Sequence, residues 1–119
     1  MTYTFYHYPR CSTCVKAKKW LNEQGVEFQA VNLADTPPTA DQLRAIHVSS
    51  GKPLKALFNT SGQSYRGGGF KDRLPHMNTD EQLAALAADG MLIKRPILVG
   101  GEPNLIGFKL AEWTQLFNL

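Results

Sequence analysis

Apolar and aromatic side chains crowd the start of the chain, where Tyr3-Thr4-Phe5-Tyr6-His7-Tyr8 reads as a strand. From Cys11 the pattern loosens to a helical one. Val15, Trp20 and Leu21 are available for burial, the lysines turn to solvent, and Gly25 suits the left-handed position that ends a helix. Val26 to Leu33 alternates again, with Val26, Phe28 and Ala30 on one face, and predicts a second strand. A helix between two strands makes them parallel, in a right-handed βαβ unit whose cysteines sit at the carboxyl end of the first strand. Asp35-Thr36-Pro37-Pro38 then breaks the pattern. Thr39-Ala40-Asp41-Gln42 fits a capping box opening a helix with Leu43 and Ile46 inward, stopped by Ser49-Ser50-Gly51. Pro53 to Phe58 suits a short helix, and Asn59-Thr60-Ser61-Gly62 its terminating turn. Thr79-Asp80-Glu81-Gln82 offers a second capping box, for a helix with Leu83, Leu86 and Ala87 inward and Gly90 at its end. Ile97-Leu98-Val99, the Gly100-Gly101 turn and Asn104 to Ile106 form a hairpin, and Leu110, Trp113 and Leu116-Phe117 describe a final amphipathic helix on the sheet.

The expected class is α/β, in one domain spanning 1–119: a core from 1–36 and 91–119, and an all-helical insertion over 37–90. At 119 residues there is room for a single core and not for two. The order βαβ, helices, ββα resembles that of a thioredoxin-like domain. Composition, at 43% hydrophobic and 19% charged, excludes a disordered chain. The first residues lack a basic region followed by an apolar one, and no run approaches the ~18 apolar residues of a membrane span, so a cytoplasmic protein without membrane contact is expected. Net charge is +3 with the basic residues spread along the chain, which gives little ground for direct nucleic-acid contact. A monomer is the default expectation.

The chemistry of the chain centres on Cys11-Ser12-Thr13-Cys14. A helix N-terminus carries unpaired N–H groups and a partial positive charge, so a thiolate at Cys11 is stabilised there. Arg10, Lys16, Lys18 and Lys19 place four positive charges in the first 24 residues against one negative, Glu23. Cys14 is one helical turn on and can resolve a mixed disulfide formed at Cys11. The other readings are a structural disulfide, a metal site and two inert thiols. Zinc wants four N or S ligands, and His7, His47 and His76 are not spaced as a second ligand pair. A reducing compartment argues against a structural staple. A redox-active pair is the expectation, with no metal.

Lys94-Arg95-Pro96-Ile97 is the second site element. Arginine before proline is held extended, and X-Pro is the common setting for a cis peptide. A cis Pro96 would fix Arg95 beside the thiol, where its guanidinium could hold a thiolate or an oxyanion; the competing reading is a solvent-facing arginine at a strand entrance. Gly67-Gly68-Gly69 is expected to be a mobile loop in preference to a phosphate cradle, since no Gly-Lys-Ser or Gly-Lys-Thr follows it.

With Cys11-Ser12-Thr13-Cys14, Asn59-Thr60-Ser61-Gly62, Asp89 to Ile97 and Gly107-Phe108 in that order, the chain resembles the arsenate reductase/Spx family over nearly its whole length, and especially its short arsenate-reductase-like members. The resemblance implies a thioredoxin/glutaredoxin-like four-stranded mixed sheet with a helical insertion. It further implies Cys11 as nucleophile, Arg95 as thiolate-stabilising or anion-binding residue and Pro96 as a cis proline, with Ser12, Thr13, Asn59 and Arg66 beside the substrate. Of the three arginines of glutaredoxin-coupled arsenate reductases only Arg95 matches. Asn59 and Phe108 stand near the other two positions, and Arg66 is the candidate replacement. Cys14 is a feature of the redox-switch members and favours an intramolecular disulfide. The implied substrate is a small oxyanion such as arsenate, or a disulfide, with no bound cofactor and with glutathione, glutaredoxin or thioredoxin as reductant. The alternative is a redox-sensing regulator that binds RNA polymerase, although the sequence stops at Leu119 without the longer tail of those regulators.

Overall fold

The structure is a computed structural model that describes residues 2–118; Met1 and Leu119, the limits of the expected domain, lie outside them. Strand β1 (Tyr3–His7) is followed by helix α1 (Ser12–Glu23) and strand β2 (Phe28–Asn32). Helices then occupy the chain as far as residue 92: α2 (Ala40–Ser50), α3 (Gln63–Gly67), α4 (Phe70–Arg73) and α5 (Thr79–Ala88), with 3-10 turns at Leu54–Leu57, Leu74–His76 and Gly90–Leu92. The hairpin β3 (Ile97–Val99) and β4 (Leu105–Ile106) and helix α6 (Leu110–Leu116) complete it.

The sheet is mixed, four-stranded and ordered β2-β1-β3-β4. β1 runs parallel to β2, with Phe5 opposite Ala30, and antiparallel to β3, with Phe5 opposite Leu98. Because successive side chains of a strand point to opposite faces, Phe5 and Tyr6 enter different cores. Phe5 and Leu98 pack with Ala17 and Leu21 of α1 and Trp113 of α6. Tyr6 and Ile97 pack with Leu43, Ile46, Leu83, Leu86, Phe58 and Tyr65 from the helical segment. Helices therefore cover both faces, and the carboxyl end of β1 lies between the two layers.

Several local expectations need correction. Val15 and Leu110 are exposed (56% and 55%), and the inner face of α1 is instead Cys14, Ala17 and Leu21. Both fit the apolar periodicity of their helices but sit at its edge, whereas Leu21 of α1 and Trp113 of α6, in the same expected stripes, are fully buried. The second capping box is made by Asn78, not Thr79: its side chain accepts from the Glu81 N–H while Glu81 accepts from the Asn78 N–H. The Thr39/Gln42 box has the same reciprocal form. Gly67-Gly68-Gly69 is a corner between two short helices and not a loop. Gly67 ends α3, Gly69 (φ +67°) precedes α4, and a Cβ on Gly68 would meet the Phe70 ring at 2.6 Å.

Candidate active site

The thiol loop is a turn clipped at both ends. Tyr8-Pro9-Arg10-Cys11 closes when the Cys11 N–H donates to the Tyr8 carbonyl (3.0 Å), and α1 begins when the Val15 N–H donates to the Cys11 carbonyl (3.0 Å). Cys11 is thus the residue that caps α1, with extended backbone (φ −86°, ψ 114°). Its Sγ accepts from the Cys14 N–H at 3.3 Å, a place that serine, threonine or aspartate oxygen commonly fills. The first turn carries no acidic residue, so no carboxylate of that turn offsets the positive helix end at this sulfur. Ser12 and Thr13 lie exposed in that turn.

The two sulfurs have different surroundings. Cys11 is partly open, whereas Cys14 is 1% exposed, and both are free thiols. Burial, followed by its hydrogen bond to the Cys11 sulfur, pushes the Cys14 thiol up to about 12; the charge of Cys11 adds to this, while the Tyr8 backbone and Arg95 oppose it. Cys14 is therefore a neutral thiol with a proton to share, next to a sulfur that solvent reaches. The arrangement suits exchange at Cys11 followed by attack from Cys14.

Arg95 is fixed from both sides. The Arg95–Pro96 peptide is cis, and Pro96 is buried with its carbonyl accepting from the Gly107 N–H (2.7 Å). The guanidinium Nη1 donates to the Met91 (3.2 Å) and Ile93 (3.3 Å) carbonyls, and the group lies 5.3 Å from the centre of the Tyr8 ring. Tyr8 belongs to the thiol loop, which puts Arg95 against that loop and accounts for its pull on Cys14. Arg95 and Asn59 share a recess of ≈ 250 Å³ with Gly62, Gln63, Ser64 and Met91. Gly62 leaves room for the Asn59 side chain in its present place, since a Cβ would meet the Asn59 amide nitrogen at 2.6 Å.

The structure thus brings Cys11 beside Cys14, and Asn59 beside Arg95. Arg66 is exposed on α3 and is not among the described residues lining the recess. Phe108 packs edge-on against Trp113 (4.9 Å) and on Trp20, within the second core. Two contributors were not singled out from sequence. Tyr8 supplies the ring under Arg95. His7 stacks on Phe5 (5.4 Å) and lines a hollow with Cys14, its ring held neutral further into acid by burial and then by Lys18. A histidine closing an aromatic strand two residues before Pro9 was the available signal.

The ArsC family model matches residues 6–116. YusI, an uncharacterised protein of Bacillus subtilis, is 52% identical over 115 residues, covering 97% of this chain and 98% of that one. The regulatory protein MgsR of the same organism is 30% identical, covering 95% and 88%. Among solved structures, an ArsC-family-related protein from Bacteroides fragilis superposes with a TM-score of 0.93 at 45% identity, over 98% of each chain. Matched from the end of its first strand to its last helix, and sharing half its residues with a relative aligned over nearly the whole of both chains, the chain belongs to the ArsC family, whose members include arsenate reductases and Spx regulators.

Proposed function

We propose that this protein is a thiol–disulfide oxidoreductase in which Cys11 is the nucleophile and Cys14 the resolving thiol. The observation that carries the reading is the contrast between an accessible Cys11 capping α1 and a buried, protonated Cys14 whose N–H reaches the Cys11 sulfur at 3.3 Å. The Cys11 thiolate attacks one sulfur of a substrate disulfide, forming a mixed disulfide and releasing the other half as a thiolate. Cys14 then loses its proton and attacks the Cys11 sulfur, closing an intramolecular disulfide and expelling the second substrate thiolate. A cellular thiol, either glutathione with glutaredoxin or thioredoxin, returns the pair to the dithiol. Arg95 serves to hold negative charge near the loop, with Asn59 beside it. In the test, Cys11→Ser abolishes turnover of a disulfide substrate and Cys14→Ser accumulates the mixed disulfide; full activity without Cys11 overturns the reading.

Arsenate reduction is the narrower form of the same chemistry. It has one arginine, Arg95, in the recess and a neutral Asn59 where a second would add charge. Arsenate-dependent consumption of reductant tests it, and no consumption at high arsenate removes it. The similarity to the regulatory protein MgsR favours a second reading, a regulator, and the Spx resemblance supplies its redox sensing and its partner, RNA polymerase. Co-purification of polymerase with the oxidised form, lost in Cys11→Ser, would support that reading over the enzyme.

A further inference from the structure

We infer, building on the thiol-exchange reading above, that the partner of Cys11 is a cysteine set in an acidic protein segment, docked on the exposed cationic and apolar face of α1. Of the thirteen cationic and ten acidic side chains in the chain, Arg10, Lys16, Lys18, Lys19 and Glu23 lie between residues 8 and 24, leaving nine of each sign elsewhere. The entire net charge of +3 therefore belongs to the thiol loop and its helix. All four cations are exposed, and the ion pairs among the described residues, Arg44–Asp80 and Lys52–Glu112, do not involve them. A field of one sign concentrated at one site steers an oppositely charged partner to it.

The shape of this face points to a polypeptide. Beside the thiol loop is an open hollow of ≈ 620 Å³ whose walls include Pro9, Cys14, Val15, Lys18, Lys19 and Glu23. Val15, 56% exposed on the residue immediately after Cys14, is among the few large apolar side chains left in solvent. A small inorganic anion would be drawn by the lysines but would gain nothing from Val15 and Pro9. An acidic segment with an apolar residue next to its cysteine matches both: its carboxylates meet Lys18 and Lys19, its apolar side chain covers Val15, and its sulfur comes to the open N-terminus of α1 where Cys11 sits. Nucleic acid shares the charge but brings no cysteine to the site.

The test uses the full chain carrying Cys14→Ser and three cysteine peptides of equal length, acidic, neutral and basic, each activated as a disulfide with thionitrobenzoate. Attack by Cys11 joins the peptide to its sulfur and releases coloured thionitrobenzoate anion. The acidic peptide is expected to react about tenfold faster than the basic one at low salt. The gap should close at ~0.5 M salt, and Lys18→Glu with Lys19→Glu should invert the preference. Equal rates for the three peptides would overturn the docking surface and leave the redox reading standing. No release from any peptide would overturn the redox reading itself. Suppression of the acidic-peptide reaction by a short DNA duplex at equal charge concentration, with no suppression by an acidic peptide lacking cysteine, would transfer the surface to nucleic acid and overturn the proposal.

Discussion

Cys14 concentrates most of what distinguishes this site from two neighbouring thiols. Its burial and its bond to the Cys11 sulfur keep it protonated, so at neutral pH a thiol-alkylating reagent should modify Cys11 alone, with Cys14 reacting only after denaturant is added. Mass spectrometry after a short exposure reads this directly, and early labelling of Cys14 would remove the resolving role. The same environment has a stability consequence. A thiol whose folded value lies above its unfolded one stabilises the fold below the ordinary thiol range, and that contribution is lost as pH climbs from about 9 toward 12. His7 acts at the other end of the scale. Burial and Lys18 lower it, so the unfolded chain takes up the proton first and stability falls as pH drops below about 6.5. His7→Gln should flatten that acid slope in denaturant titrations at successive pH values.

At the scale of elements, the chain is most legible where a long segment carries its own start and stop. α1 and α2 were bounded by sequence alone, because Gly25 and Gly51 stand where the backbone turns left-handed and Thr39 with Gln42 closes a box. The inward places of Leu21 in α1 and Trp113 in α6 were legible, but Val15 and Leu110 fit the same stripes and lie exposed, because periodicity does not mark where a stripe leaves the core. α3 and α4 have five and four residues, shorter than any window in which periodicity can be read, and their shared corner is set by tertiary packing of Phe58, Tyr65 and Phe70. The recess fared likewise: Arg95 was legible from its proline, but its two carbonyl partners and the Tyr8 ring are contacts that only the fold creates. Gly90 is the sharpest case. It looked like a helix terminator, yet a Cβ there would sit 1.8 Å from the Leu33 carbonyl oxygen. Gly90→Ala should therefore cost about 1–3 kcal/mol or more, through a backbone that has to move. Asn78→Ala, removing only a cap, should cost about 1 kcal/mol. Chemical denaturation of the two variants checks the ranking.

Across the whole molecule, the α/β class, the parallel βαβ start and the closing hairpin followed from alternation, because β1 and β3 have a different core on each face. That two-sided burial also ranks the variants. Trp113 is fully buried against Phe5, Trp20 and Phe108 and donates its indole N–H to the Gly107 carbonyl (2.9 Å), so it ties α6 to the loop that follows β4. Trp113→Ala should cost about 3–5 kcal/mol. The loss should be seen as a lowered denaturation midpoint accompanied by faster labelling of Cys14, since the layer over α1 is opened. Retained protection of Cys14 would show that α1 holds its place without α6.

The strand order has one more implication, for the time when the protein is being made. β1 is central, yet its two neighbours arrive far apart: β2 follows within thirty residues, whereas β3 and the Arg95–Pro96 segment lie some ninety residues downstream. A chain leaving the ribosome exposes both cysteines long before the core that Ala17 and Leu21 of α1 share with Leu98 and Trp113 is complete. Nascent chains arrested after residue 90 should show the two thiols reacting with alkylating reagent at equal rates, and the difference between them should emerge only once β3 is released. The asymmetry between the two thiols is thus a late product of synthesis, and until then the newborn chain offers both sulfurs to solvent alike.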